Sequence, residues 1–180
     1  INARTLSTGS YAVIPLDKLR KPRQYLNIRD SPLSVKDIIM KNEEDKRISK
    51  VNECFLNFTT DPDRNIQLLA ICCGELLGAT AALYNRMEDG MLHTLAQWNA
   101  PPDFNPLDRP DGHICHDVIK KGGKTVLVIR DLHRTGYAKS DPNVSAYGLK
   151  TYIGAPVSCK NHCVGSLCVV YQRDYSPDEE

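Results

Sequence analysis

The sequence lacks an excess of charge of either sign. It carries 23 Lys and Arg residues against 22 Asp and Glu residues, so its formal net charge at pH 7 is only +1. A chain so close to neutral has no long-range field that would collect nucleic acid or anionic lipid. We therefore expect partners other than nucleic acid.

Long apolar runs are also absent. The longest, at residues 68–73 and 164–171, fall far short of the roughly 20 apolar residues that cross a bilayer. We expect no direct insertion into a membrane. An initiator Met and a basic-then-apolar leader are missing too, so the chain reads as a segment of a longer protein.

Cysteine is present, but in an odd number. Most of the seven Cys residues fall within apolar helix or strand patterns, which disfavours the disulfide framework of a small secreted protein. Reduced, buried thiols explain the pattern better. This usage predicts a cytoplasmic location.

Periodicity divides the chain into two parts. In residues 1–42 the pattern is weak, and Pro15, Pro22 and Pro32 interrupt it. We interpret this stretch as a linker or an incomplete neighbouring segment. The remaining residues, 43–180, suffice for one hydrophobic core, and we expect them to form one domain.

Helical spacing begins near Asn42. Apolar residues then recur at intervals of three and four, which places them on one helical stripe; they are Ile48, Val51, Phe55 and Phe58. A second helix is predicted directly afterwards, with Asp61 as its N-cap, Pro62 at its first position and Gly78 at its end. The sequence thus predicts two consecutive amphipathic helices.

The period then changes to that of β-strands. Residues 79–87 and 91–98 flank Asp89-Gly90, a dipeptide suited to the tight turn of a hairpin. A short helix, a short strand and two strands joined by a tight turn are predicted next, at residues 113–121, 126–129, 151–158 and 162–173. Strands and helices without regular alternation predict an α+β fold with an antiparallel sheet.

Two further segments carry signals for helices. Residues 130–146 are too long and polar for a simple turn, and such a segment in a compact domain is often functional. We predict a short helix at 143–147 within and just after it. Residues 176–179, SPDE, have the form of a capping box, so we expect a C-terminal helix that is truncated where the chain stops at Glu180.

Two stretches resemble those of a known family. The run from Tyr147 to Val157, YGLKTYIGAPV, resembles the loop-to-strand signature of GAF domains, and residues 164–170, VGSLCVV, resemble a later strand of that family. The resemblance covers about residues 47–180. It implies an α+β fold in which helices flank an antiparallel sheet of five to six strands, with a pocket on one face and terminal helices on the other.

The resemblance also implies a role. It is closest to GAF segments of bacterial sensor histidine kinases, through residues 130–132 and 140–144, so we expect a multidomain parent of that kind, in a two-component system. The module would sense a small ligand or a redox cue, form a homodimer through its terminal helices and pass the signal to an output domain. We expect no enzymatic activity from this segment, and the motifs name no cofactor.

The implied pocket lies between residues 112–119, residues 129–147 and the strand near Tyr152. The residues expected to contact a ligand are His116, Ile119, Ile129, Asp131, His133, Tyr137, Tyr147 and Tyr152. The three tyrosines, with Arg130 and Asp131, give the mixed aromatic and polar lining that is typical of small-ligand sites.

Cysteine chemistry supplies the main alternative. Cys159 and Cys163 flank a predicted hairpin, and with a three-residue loop, but not with a two-residue loop, they would face each other at disulfide distance. Free-methionine-sulfoxide reductases are GAF enzymes that use cysteines. A reductase that depends on Cys163 or Cys115 is therefore the second hypothesis, and a ligand-free dimerisation module is the third.

Metal and chromophore sites are weaker alternatives. The group His113-Ile114-Cys115-His116 holds soft ligands but lacks the second pair that a structural zinc site normally has, so we predict no metal site. Its Cys115-His116 pair lies too far upstream of Tyr147 to match bilin-binding GAF domains. His133 lies in the loop where some haem-binding GAF sensors place a ligand, whereas the signature of cyclic-nucleotide-binding members is missing.

Overall fold

The structure is a computed structural model that describes residues 34–160 and 162–177. The chain divides into two units, Ile1–Ile38 and Ile39–Glu180. The predicted linker before residue 43 and the predicted C-terminal helix fall largely outside the described residues, and both stay predictions.

The described part of the chain contains five α-helices, six strands and a 3-10 turn at Leu132–Arg134. In chain order they are α1 (Val35–Leu56), α2 (Pro62–Leu76), β1 (Ala81–Glu88), β2 (Met91–Trp98), β3 (Leu107–Asp108), α3 (Ile114–Lys121), β4 (Leu127–Ile129), the turn Leu132–Arg134, α4 (Tyr137–Ser140), α5 (Pro142–Ala146), β5 (Thr151–Cys159) and β6 (His162–Tyr171). The strands form one sheet in the order β3-β2-β1-β6-β5-β4, and every neighbouring pair is antiparallel. This confirms the predicted α+β fold, an antiparallel sheet flanked by helices.

The first helix differs from its prediction. It extends back to Val35, because the residues before Asn42 are compatible with a helix, and it ends at Leu56, before the last residue of the predicted stripe. The stripe itself is not buried within the described residues. Ile48 and Phe55 are 52% and 54% exposed, so hydrophobic periodicity alone overstated the burial of α1.

The second helix covers one face of the sheet, which we call the back face. Asp61 caps α2 as predicted, because its carboxylate accepts two backbone N–H bonds. Small residues allow a close approach: Ala70 is fully buried, and a Cβ added at Gly74 would lie 2.1 Å from the ring of Trp98. The back-face residues beneath the helix are Ala82, Tyr84, Val169 and Tyr171.

The opposite face, which we call the front face, is covered by α3 and by the segment between β4 and β5. Its apolar core includes Ala81, Val170, Ile114, Val118, Leu132 and Val144. β1 and β6 pair at the centre of the sheet, and this pairing sets Leu83 opposite Cys168 and Asn85 opposite Ser166. Two polar residues therefore meet in the middle of the front face.

A tight turn joins β1 to β2, and a proline lies within β5. The predicted hairpin is present, with Asp89 and Gly90 both at positive φ (50° and 76°), as a tight turn of this kind requires. Pro156 lies in β5 beyond residues 152–154, the stretch that pairs with β4. This agrees with the expectation that a proline is confined to the poorly paired part of a strand.

The segment between β4 and β5 contains three short helical pieces where one was predicted. α5 begins one residue before its predicted position, with Asp141 as its N-cap and Pro142 at its first position. The 3-10 turn and α4 were not predicted, because pieces of three and four residues are too short to show a hydrophobic period. Leu132, with no exposed surface, anchors the segment in the front-face core.

Candidate ligand-binding site

A cleft opens on the front face of the sheet. Its walls come from β1, β2, β5 and β6, from α5, from the start of α3 and from the segment that joins β2 to β3. The empty space between them is about 820 Å³ when the open solvent at the mouth is included. Its apolar and aromatic lining includes Leu83, Leu92, Phe104, Tyr147, Leu149, Tyr152 and Val170.

The floor of the cleft is polar and is centred on Asn85, which is 2% exposed. The pairing of β1 with β2 shifts register beside this residue, so that Thr94 lies opposite Asn85. The Thr94 hydroxyl donates a hydrogen bond of 2.7 Å to Asn85 Oδ1, and Asn85 Nδ2 donates one of 3.2 Å to Cys115 Sγ. The bulge thus places the side-chain amide of Asn85 within hydrogen-bonding distance of both Thr94 on β2 and Cys115 on α3.

Two thiols meet at this floor. Cys115 Sγ, in the first turn of α3, lies 3.6 Å from Cys168 Sγ of β6 and 3.5 Å from the hydroxyl oxygen of Tyr152. Cys168 is only 2% exposed, as is Tyr152. Ser166 is fully buried beside them, and no protein group meets its hydroxyl at hydrogen-bonding distance and angle within the described residues.

The thiols differ in acidity. Hydrogen bonds from Cys168 and Tyr152, with a smaller contribution from the nearby Ser166 hydroxyl, lower the pKa of Cys115, although burial opposes the shift. The same contact with Cys115, together with burial, raises the pKa of Cys168 well above its ordinary value. Burial likewise raises the pKa of Tyr152, which keeps its proton. The arrangement favours one thiolate, on Cys115, with donors around it.

A histidine and two carboxylates form one side of the cleft. Asp141 is 6% exposed, and its two oxygens accept the backbone N–H groups of Asn143 and Ile114 at 3.0 Å each. His113 lies between carboxylates: its Nδ1 is 3.6 Å from Asp141 Oδ1 and its Nε2 is 3.4 Å from Asp108 Oδ2. Asp141 therefore joins the starts of α3 and α5 and positions His113 at once.

The charge of the lining is one-sided. Asp108 and Asp141 both belong to it, with His113 between them as the one basic side chain, and the described wall residues include neither Lys nor Arg. A cleft lined by charge of one sign favours ligands of the opposite sign or of none.

The family is shown by a match to the model of the GAF domain over residues 61–180. The chain belongs to the GAF domain family. This is a family of regulatory and sensory modules, as the resemblance had implied. No curated protein matches the chain.

Solved structures with this GAF fold come from proteins of several kinds. The GAF domain of nlh2 from A. aeolicus superposes with a TM-score of 0.59 at 15% identity, covering 76% of this chain and 85% of that one. The GAF domain of a phosphoenolpyruvate-protein phosphotransferase from Coxiella burnetii gives 0.58 at 14%, covering 78% and 84%. A free methionine-R-sulfoxide reductase from Neisseria meningitidis, solved with its substrate, gives 0.57 at 15%, covering 80% and 77%. Such identities establish the fold alone.

Two of the eight predicted site residues, Tyr147 and Tyr152, line the cleft of this GAF domain. Ile129 and Tyr137 instead pack against the front-face core. The Tyr137 hydroxyl donates a hydrogen bond of 2.8 Å to Asp117 Oδ2.

The other four predicted residues also lie away from the cleft lining. His116 and Ile119 are half-buried on α3, whose contribution to the cleft lining is Cys115, next to the N-cap residue His113. Asp131 is exposed. His133 is exposed as well and borders a separate depression with Ser145. A ligand role for these residues stays a prediction.

The floor residues were missed in the sequence. Asn85 and Ser166 interrupt runs of apolar residues in β1 and β6, and both are almost fully buried. A polar residue at an inward position of a central strand is the signal that indicates a site, because burial of a polar group requires a partner.

Two cysteine and histidine groups singled out in the sequence are separated. β5 and β6 pair Cys159 with His162 and Ser158 with Cys163, so the loop is too short to set the two cysteines face to face, and Cys163 Sγ donates to Gly165 O instead. In the part of the chain that the structure describes, no three His, Cys, Asp or Glu side chains gather as metal ligands would.

Among residues 34–160 and 162–177, no helix combines the length and the apolar character that a membrane crossing requires.

Proposed function

We propose that this GAF domain is a sensory module that binds a small uncharged or cationic molecule in the cleft and relays binding to an output domain. The observation that carries the proposal is a mostly apolar wall above a polar floor of Asn85 and Thr94. Such a site buries apolar ligand surface while hydrogen bonds fix the orientation.

The charge of the ligand follows from the wall. A buried anion needs a cation or several N–H donors. The N–H of Ile114, at the positive end of α3, would suit an anion, but it already binds Asp141 Oδ2. An amine or amide group of a ligand, unlike an anion, would have favourable neighbours in this cleft: the Asp108 carboxylate and the aromatic ring of Phe104.

The relay would run through β1. Asn85 lies on the front face, and its neighbour Tyr84 packs on the back face with Ala70 of α2 and Ala96 of β2. A ligand that moves the amide of Asn85 therefore displaces a strand that α2 rests upon. In the simplest form of such a relay, α2 has two positions, and ligand binding favours the second one.

The terminal helices would connect copies and output. The exposed Ile48 and Phe55 of α1 provide an apolar stripe suited to a second copy of the chain. We propose a homodimer through this helix and an attached output domain such as a histidine kinase in a cytoplasmic parent.

A charge-sorted screen tests the ligand proposal. The chain is mixed with equal sets of cationic, neutral and anionic small molecules, including the shape-matched benzylamine, benzamide and benzoate, and thermal unfolding is followed. We expect a raised Tm from cationic or neutral members and none from benzoate. The shift is lost in Asn85→Leu and kept in Ser145→Ala, a change in the separate depression beside His133.

Two results would overturn the proposal. The first is a set of binders dominated by anions. The second is a screen in which Asn85→Leu and the unchanged chain respond alike.

A thiol-dependent reductase is the second candidate. The contact of 3.6 Å between Cys115 Sγ and Cys168 Sγ favours it, and this pair takes the place of Cys163 in the original hypothesis. A solved free methionine-R-sulfoxide reductase shares the fold. Against it, the described wall has no Lys or Arg to hold the carboxylate of a free amino acid.

Turnover distinguishes the two candidates. The chain is incubated with free methionine sulfoxide and a dithiol reductant, and methionine is quantified by mass spectrometry. Methionine formation that disappears in Cys115→Ser and persists in Cys163→Ser would establish the reductase. Absence of methionine from the unchanged chain would eliminate it.

A further inference from the structure

We infer that Cys115 and Cys168 form a reversible disulfide when a peroxide enters the cleft, and that this disulfide weakens ligand binding at the same site. The regulatory half of this inference rests on the proposed ligand-binding function. The disulfide itself depends only on the two thiols.

The geometry brings the two sulfurs close together before any reaction. They lie 3.6 Å apart, so a bond of about 2.05 Å requires them to approach by roughly 1.5 Å. The cysteines come from different elements, α3 and β6, and α3 ends at Gly122 and Gly123, both at positive φ. The helix can therefore adjust at a glycine pair without moving the central strand.

The surroundings make Cys115 the attacking thiol. Asn85 Nδ2 donates to its sulfur at 3.2 Å but lies 3.9 Å from the Cys168 sulfur, and the Tyr152 hydroxyl oxygen lies 3.5 Å from the Cys115 sulfur. Hydrogen bonds of this kind stabilise a thiolate, which is the reactive form. Cys115 also belongs to the cleft lining, so a small neutral oxidant has a path to it past walls that would repel an anion.

A second buried thiol provides a contrast. Burial and the neighbouring Cys54 raise the pKa of Cys72 to about 11, so Cys72 stays a thiol at neutral pH. The described residues thus contain two close pairs of cysteines, Cys54 with Cys72 and Cys115 with Cys168. In the pair at the cleft, Asn85 Nδ2 donates to the Cys115 sulfur at 3.2 Å and lies farther from that of Cys168, at 3.9 Å.

The chemistry balances with one peroxide. The Cys115 thiol releases its proton, its thiolate attacks one peroxide oxygen to form an S–O bond, the O–O bond breaks, and the leaving hydroxide takes up the released proton to become water. Cys115 is then a sulfenic acid. The Cys168 sulfur attacks that of Cys115, the S–O bond breaks, and the hydroxyl leaves with the Cys168 proton as water. The thiols lose two electrons, which reduce the peroxide, and a dithiol reductant reverses the change.

Formation of the disulfide changes the hydrogen bonds at the floor of the cleft. A disulfide sulfur is a much weaker acceptor than a thiolate, so Asn85 and Tyr152 each lose a hydrogen-bond partner, and Asn85 is then held by Thr94 alone. Asn85 is the residue on which we base ligand orientation. The oxidised cleft should therefore bind the same molecules less tightly.

Thiol counting and peptide mapping test the disulfide. The full 180-residue chain is exposed to hydrogen peroxide at neutral pH, denatured, alkylated and digested. We expect two alkylatable thiols to disappear and a linked peptide pair that contains Cys115 and Cys168. In Cys168→Ser the reaction should stop at a sulfenic acid on Cys115, trapped by dimedone. Cys72→Ser should oxidise like the unchanged chain.

Two results would overturn the disulfide: linkage of Cys54 to Cys72 with the cleft thiols still free, or no dimedone adduct on Cys115 in the folded Cys168→Ser chain. A second measurement, of benzamide and benzylamine affinity before and after oxidation, tests the regulation. Weaker binding after oxidation, restored by a dithiol, supports it, and equal binding refutes it. Absence of binding by the reduced chain would count against the proposed function while leaving the disulfide result intact.

Discussion

Tyr84 and Asn85 are consecutive residues of β1 whose side chains lie on opposite faces of the sheet. Asn85 forms the floor of the cleft with Thr94 and Cys115, and Tyr84 packs beneath α2 with Ala70. A single peptide unit therefore joins the cleft to the helix that covers the back face. The register shift between these two residues marks the point where the strand departs from regular pairing.

This relationship predicts a fluorescence signal. Trp98 is the one Trp of the chain, and its ring lies against Gly74 of α2. We expect a molecule bound in the cleft to change the emission of Trp98, because α2 moves relative to the end of β2. The change should be lost in Asn85→Leu. Binding that leaves the Trp98 emission unaltered would refute the relay through β1.

The packing of α2 depends on the absence of a side chain at Gly74. A Cβ there would lie 2.1 Å from the Trp98 ring, so we expect Gly74→Ala to lower the free energy of unfolding by about 1–3 kcal/mol through overpacking. Gly136→Ala is the matched control, since nothing lies within 4 Å of its added Cβ. Urea unfolding followed by Trp98 fluorescence measures both, and equal stabilities would contradict the close packing.

The segment over α3 is held by a second close contact. Gly112 has a φ of +89°, and an added Cβ would lie 2.4 Å from the carbonyl oxygen of Ser140. Gly123 has a similar φ of +91° with nothing within 4 Å. Alanine should cost about 1–2 kcal/mol at either site because of the backbone. Gly112→Ala should cost more, and calorimetry that ranks the two variants in the opposite order would refute this contact.

Asp141 joins the starts of two helices. Both of its oxygens accept a backbone N–H, and Asp141→Asn replaces one of them with a donor. We expect a loss of about 1–3 kcal/mol in unfolding free energy, because a buried N–H is left without a partner. The exposed Asp131 is the control. Asp131→Asn should be neutral, and a neutral Asp141→Asn in the same urea experiment would show that the caps are dispensable.

The raised pKa of Tyr137 predicts that the stability of the chain changes with pH in the alkaline range. Burial and the hydrogen bond to Asp117 raise the pKa of its phenol from 10.0 to about 12. The folded state therefore holds this proton more tightly than the unfolded state. The resulting stability is complete below pH 10 and is lost as the pH rises through 12. Comparison of unfolding free energies for the unchanged chain and Tyr137→Phe should show a difference that shrinks across this interval, whereas a constant difference would contradict the shift.

The elements of the fold could be predicted because local chemistry determines them. The Asp61 cap, the Asp89-Gly90 turn and the alternating pattern of β1 and β6 each act over a few residues. The cleft floor could not be predicted in the same way. Asn85, Cys115 and Cys168 are far apart in sequence, and only the pairing of β1 with β6 and the packing of α3 on β6 bring them together.

The resemblance to GAF domains implies that residues of the 130–146 loop line the pocket, and the length and polarity of this loop agree with a functional role. Much of that loop instead completes the apolar core through Leu132 and Val144. The Asp141 end of it does reach the cleft, through a carboxylate that satisfies two backbone groups. Sequence alone does not distinguish a capping carboxylate from a ligand-binding one.

The central claim is that the cleft above Asn85 is the ligand site, and amide NMR tests it most directly. The strongest uncharged or cationic binder of the charge-sorted screen is titrated into the isotopically labelled chain. We predict the largest amide shift changes around Asn85, Thr94 and Cys115, and none of these changes in Asn85→Leu. Shift changes centred on the separate depression near Ser145 and Gly148, or unchanged in Asn85→Leu, would contradict the account.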